Sequence, residues 1–149
     1  SLCRCRNINS ANNYIVMKWK FGKRSEEKLA TVHRELSSVA RKALELSPVD
    51  FGVTEGLRSQ EKQAELLAIG ATKTLKSKHL TGRAIDIACF VDGKITWELE
   101  YYQIVANAFD LARKELDTDL RWGGSWHVND FALREENKFI DAVHFELVD

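Results

Sequence analysis

The sequence predicts an α+β fold in which a small, mostly antiparallel sheet packs with about three helices. Three observations carry this. Residues 26–46 and 98–116 repeat apolar side chains at helical spacing, and 59–69 reads as a further helix. Residues 50–57, 84–91, 94–97, 120–122 and 142–148 are short runs with strand character. Helices and strands follow one another without regular β-α-β alternation, which argues against a parallel sheet. A chain of 149 residues is one ordinary domain, and at that size it buries roughly 70% of its unfolded surface without needing a covalent staple.

The elements follow in order. Residues 1–16 are polar and Asn-rich and lack a helical period; they are expected to be a tag or a flexible extension, with the folded domain over 17–149. Ser25 before Glu26 and Glu27 suits a helix N-cap with acid in the first turn. Leu29, Val32, Leu36, Val39, Ala43 and Leu46 then predict one amphipathic helix over about 26–46, ended by Pro48. Gly70 closes the second helix. A polar loop over 71–82 leads into the strand 84–91, and Asp92-Gly93 is a strong hairpin signal before a return strand. The helix 98–116, a short strand at 120–122, a break at Gly123-Gly124, an irregular stretch and a last strand complete the chain.

Lys+Arg and Asp+Glu both number 22, so the formal charge is zero. That argues against a nucleic-acid partner, whose recognition rests on a basic patch. Cys3, Cys5 and Cys89 are a poor disulfide framework, and Cys89 is expected to be a small buried hydrophobe. No stretch approaches the ~18 apolar residues of a membrane span, and the N-terminus has no secretory apolar region.

Two strands carry polar residues where an apolar pattern should continue. On 84–91, Asp86 shares a face with Ala84 and Ala88. A lone carboxylate there needs a partner, either a buried arginine such as Arg58 or Arg83, or a bound cation. On the last strand, His144 and Glu146 face away from Phe145 and Leu147. Two histidines and a carboxylate with an open fourth position are the usual catalytic zinc set. His33 and His127 read as surface residues, with His127 kept as a second option near the metal.

The segment SKHLTGRAID resembles the S-x-H-x-x-G-x-A-x-D element of the zinc D-Ala-D-Ala carboxypeptidase and L-alanyl-D-glutamate endopeptidase family. GLRSQEKQAELL, WGG at 122–124 and the terminal HFEL fit the same family in the same order, and the likeness is greatest to single-domain phage endolysins over about 17–149. The resemblance implies Zn2+ on His79, Asp86 and His144 in an open cleft, Asp141 as the catalytic carboxylate, and Arg58 and Ser77 as substrate-binding residues. Glu146 competes as base or orients His144. Arg58 suits the free α-carboxylate of a γ-linked D-glutamate, or alternatively pairs with Asp86 or Glu55. Some relatives respond to calcium, but Ser125 stands where they often carry Asp. The implied partner is the stem peptide of bacterial peptidoglycan, met by a monomer that waits in the host cytoplasm until lysis. The alternatives are a D-Ala-D-Ala carboxypeptidase and a non-catalytic zinc module.

Overall fold

The computed structural model describes residues 3–9, 14–72, 74 and 76–148. Two strands, β1 (Cys3–Asn9) and β2 (Tyr14–Lys20), pair antiparallel at the N-terminus. The remaining positions of the expected extension lie outside the described residues. Then come α1 (Lys23–Leu29), α2 (Arg34–Leu46), β3 (Asp50–Glu55), α3 (Gln60–Ala68), a 3₁₀ turn (Lys78–Thr81), β4 (Ala84–Val91), β5 (Lys94–Thr96), α4 (Leu99–Glu115), β6 (Leu120–Trp122) and β7 (His144–Leu147). Among the described residues, no helix is long and apolar enough to cross a membrane.

The single helix expected over 26–46 is two helices. Tertiary hydrogen bonds override its helical period at residues 31–33. Thr31 Oγ1 donates to Lys28 O at 2.6 Å and accepts from Leu57 N at 3.0 Å, while His33 N donates to Gly82 O at 2.9 Å. Ser25 is not the N-cap, a position held by Gly22. It is buried inside α1 and accepts from Val53 N at 3.0 Å, so α1 satisfies the outer edge of β3.

The main sheet is antiparallel throughout, in the order β3-β4-β7-β6, with β5 pairing the far end of β4. Asp92 and Gly93 both take positive φ, 51° and 76°, as the tight turn between β4 and β5 requires. One sheet face carries Phe51, Ile85, Ile87, Cys89, Leu120, Trp122, Phe145 and Leu147, all buried. Helices α2 and α4 cover this face. Phe109 of α4 stacks on Phe145 at 3.9 Å between ring centroids and meets Phe51 at 5.5 Å. Each such side chain contributes about 1.5–3 kcal/mol by leaving water. Tyr102 ties α4 to the hairpin, accepting from Cys89 N and donating to Thr96 O.

The opposite face is left for chemistry. Across it the register sets Glu55, Asp86 and His144 in one row, and Arg121, Glu146 and Ala84 in the next. An irregularity between Val53 and Glu55 puts Glu55, rather than Thr54, opposite Asp86.

Candidate metal centre

Asp86 stands at the centre of the polar face. Its Oδ1 lies 3.2 Å from His79 Nε2 and 3.2 Å from His144 Nδ1. The three donor atoms all lie within 4.8 Å of one another. Donors on a tetrahedral zinc with bonds of about 2.0–2.2 Å sit ~3.4 Å apart, so this spacing suits an ion of that size.

Each ring is aimed by a hydrogen bond on its other nitrogen. His79 sits in the 3₁₀ turn, which Ser77 Oγ caps by accepting from His79 N at 3.2 Å and which Gly82 closes at φ 70°. His79 Nδ1 donates to Gly56 O at 2.9 Å, leaving Nε2 as the donor atom toward the centre. His144 Nε2 donates to Glu146 Oε1 at 2.8 Å, leaving Nδ1 inward. Glu146 is anchored in turn by Arg121 at 3.0 Å and Lys78 at 3.6 Å. Partners of this kind hold metal-ligating rings in place and sharpen affinity. Fixed tautomers and a common focus make the residues a fit for a divalent cation.

Burial alone would raise the Asp86 pKa, but hydrogen bonds from His144 and His79 hold its carboxyl far below the usual range. Burial opposes charge on His144, yet Asp86 and Glu146 on either side outweigh it and push its pKa up to about 9. For Glu146, the His144 and Arg121 bonds overcome burial and lower the pKa. Without a metal, the two flanking carboxylates therefore favour the protonated form of the His144 ring.

Asp141 lies in the loop just before β7, where the parity of the strand requires it. Its amide donates to Gly123 O at 2.9 Å, and His144 N donates to Asp141 O at 3.0 Å. Burial first, and then the charge of Asp86, raise its pKa above the ordinary carboxylate value, while His144, His79 and Arg58 pull the other way. A raised carboxylate pKa moves such a group toward the range in which it can both take and return a proton.

Gly123 makes this approach possible. A Cβ there would lie 2.1 Å from Asp141 O, a backbone atom that cannot swing aside. Gly123→Ala should therefore displace the Asp141 backbone and lose about 1–3 kcal/mol of stability. An unchanged Tm in that variant would show that Gly123 does not place Asp141.

Arg58 is nearly buried, and its guanidinium is already engaged. Nε and Nη2 donate to the two Glu55 oxygens at 2.6 Å each, and Nη1 donates to Gln63 Oε1 at 2.7 Å. Asp86 Oδ2 is 3.9 Å away. The sequence points to Glu55 only as a possible partner of Arg58 and carries no signal for Gln63, whose complete burial is evident only in the fold. His33 is exposed and precedes α2. His127 is exposed in the loop after β6. Ser125 is buried and shapes that loop by donating to Asp130 O. The Asp130 carboxylate accepts from Ala132 N at 3.2 Å and pairs with Arg134 at 2.6 Å.

Residues 17–148 match the family model of the phage L-alanyl-D-glutamate peptidases. The chain belongs to this family. It is 45% identical to the L-alanyl-D-glutamate peptidase of Escherichia phage T5 over 137 residues, covering 89% of this chain and all of that one. It is 29% identical to the peptidoglycan L-alanyl-D-glutamate endopeptidase CwlK of Bacillus subtilis over 67% of this chain and 62% of that one. The crystal structure of the Serratia marcescens L-Ala D-Glu endopeptidase ChiX superposes with a TM-score of 0.76 at 37% identity, covering 95% of this chain and 96% of that one. As a member of the phage peptidase family, the chain places its His-Asp-His cluster on an α+β scaffold shared with a solved endopeptidase.

Proposed function

We propose that this chain is a zinc-dependent peptidoglycan endopeptidase that hydrolyses the L-alanyl-D-glutamate bond of stem peptides. The observation that carries the reading is the convergence of His79, Asp86 and His144 on one point of the open sheet face, with Asp141 electrostatically coupled to all three. Zn2+ held by those three residues would polarise the scissile carbonyl and bring water within reach of deprotonation near neutral pH. Asp141 takes the proton from the attacking water and returns it to the leaving amine. Glu146 and Gly56 keep the two imidazoles in register through this proton traffic. Arg58 offers N–H groups beyond those taken by Glu55 and Gln63 to the free α-carboxylate of D-glutamate. Ser77, capping the turn that bears His79, can still donate its hydroxyl hydrogen.

The catalytic unit runs over 17–149 and acts as a monomer on the wall from the host cytoplasm once the membrane has been breached. Calcium as a regulator belongs to the loop at 125–134, where a cation would have to displace Arg134 from Asp130. Mass spectrometry of digested peptidoglycan tests the bond assignment. Fragments beginning at D-glutamate are expected, and release of D-alanine alone would make the chain a carboxypeptidase instead.

The His144 pKa sets a pH dependence. Its folded value lies above the ordinary 6.5, so the charged ring stabilises the metal-free protein fully below about 6.5, and that stability is lost as pH rises through about 9. Zinc needs the neutral ring and so competes with a proton. Zinc affinity should rise about tenfold per pH unit from 6.5 to near 9 and then level off, with one proton released per ion from this group. Chelator competition at several pH values checks this, and an affinity independent of pH over that range would contradict it.

A further inference from the structure

A groove of about 770 Å³ runs along the open sheet face away from the metal centre. That lies within the ~300–1,000 Å³ typical of sites for small organic ligands. Its floor begins at Ala88 and Gly52, which face each other across β4 and β3. This pair is the next same-face row after Asp86 and Glu55, ~7 Å further along the strand. The groove therefore begins one same-face row from the metal centre. Two small residues set its depth, and Phe90 and Ile95 extend its apolar floor. Its wall is α1, which contributes the cations Lys23, Arg24 and Lys28 and the single carboxylate Glu27.

The far side of the centre has different chemistry. Trp126 lies 5.4 Å from the His144 ring and stacks on Phe139 at 5.9 Å, and Phe139 is half exposed. That shelf is aromatic, whereas the wall of the groove is cationic.

We infer that the groove is the subsite for the part of the stem peptide that follows the scissile bond. The assignment rests on the cleavage reading above. The two halves of an L-alanyl-D-glutamate substrate differ in charge. The acyl half is an N-acylated alanine leading to a neutral N-acetylated sugar. The leaving half carries the free α-carboxylate of D-glutamate and, beyond the residue joined to its γ-carboxyl, the terminal carboxylate of D-alanine. A wall with three cations against one acid complements only the leaving half. The apolar floor suits the methylenes and methyl of the residues after D-glutamate. The neutral sugar end is then directed toward Trp126 and Phe139, where an apolar sugar face can stack.

The experiment compares two substrates, N-acetyl-L-alanyl-D-glutamate γ-amide, whose leaving half carries the α-carboxylate alone, and its γ-linked extension to a tetrapeptide ending in free D-alanine. The unaltered protein should cleave the tetrapeptide with at least tenfold higher kcat/KM, and 0.5 M salt should shrink that advantage. In the double variant Arg24→Glu, Lys28→Glu the ratio of the two kcat/KM values should fall about tenfold, mainly through KM of the tetrapeptide. Equal cleavage of both substrates by the unaltered protein would overturn the groove assignment alone. So would a ratio that neither salt nor charge reversal moves. Cleavage of neither substrate would overturn the bond assignment, and the groove assignment with it.

Discussion

Asp141→Asn should leave the metal in place and lower turnover by roughly 10²–10⁴-fold, the span that a positioned general base supplies. The substitution preserves shape, and the backbone around Asp141 is held by atoms that it does not alter. The Asp141 amide bonds to Gly123 O, its carbonyl accepts from His144 N, and Trp122 Nε1 donates to Ala142 O at 2.8 Å. The loop should therefore stay where it is. Burial and the neighbouring Asp86 charge both work against ionisation of Asp141, so removing its charge should not lower the melting temperature. Three readings separate the possibilities: metal content, Tm and kcat/KM. Retained metal and Tm with lost turnover fit a base. Full turnover would remove Asp141 from the mechanism, and lost metal would recast it as a ligand.

The second large effect is expected at Asp86. Asp86→Asn keeps the size of the side chain but removes the anion to which both imidazoles and Arg58 are directed. Changes to outer partners of metal ligands weaken affinity by about 10–100-fold, so loss of the central carboxylate should exceed that. Metal-free stability should fall too, because breaking a buried ion pair by removing one partner costs about 3–5 kcal/mol. Here the value belongs at the low end, since Asp86 keeps some exposure, with 18% of its side chain accessible. The loss should be larger at pH 6 than at pH 9, since His144 is charged only below its raised pKa. Equal zinc content in Asp86→Asn and the parent would contradict the ligand assignment.

Much of this is legible in the sequence, and the reasons are physical. An alternating strand must place Asp86 with Ala84 and Ala88, and a carboxylate there demands a partner; the structure supplies both histidines and Arg58 nearby. His144 and Glu146 were visible by the same parity, and the structure shows them bonded to one another. His79 was visible only through family resemblance, because a one-turn 3₁₀ helix has no period. Its aim depends on Gly56 O and on the left-handed Gly82. The break between α1 and α2 was hidden for a related reason. The apolar spacing from Leu29 to Leu36 is equally good for one helix or two, and contacts with Gly82 and Leu57, distant in sequence, decide it. Ser25 looked like a cap, but the edge of β3 claimed it. Why Gly123 must be glycine could not be read from its neighbours in the chain, since the atom that forbids a side chain belongs to Asp141.

The metal centre is the claim on which the rest depends. Its most direct test is reconstitution: remove bound metal by chelation, then measure turnover on purified peptidoglycan as zinc is added back. The account predicts an inactive metal-free protein that stays folded near neutral pH, with activity rising linearly and saturating at one zinc per chain. Undiminished turnover by protein shown to be free of metal would contradict it.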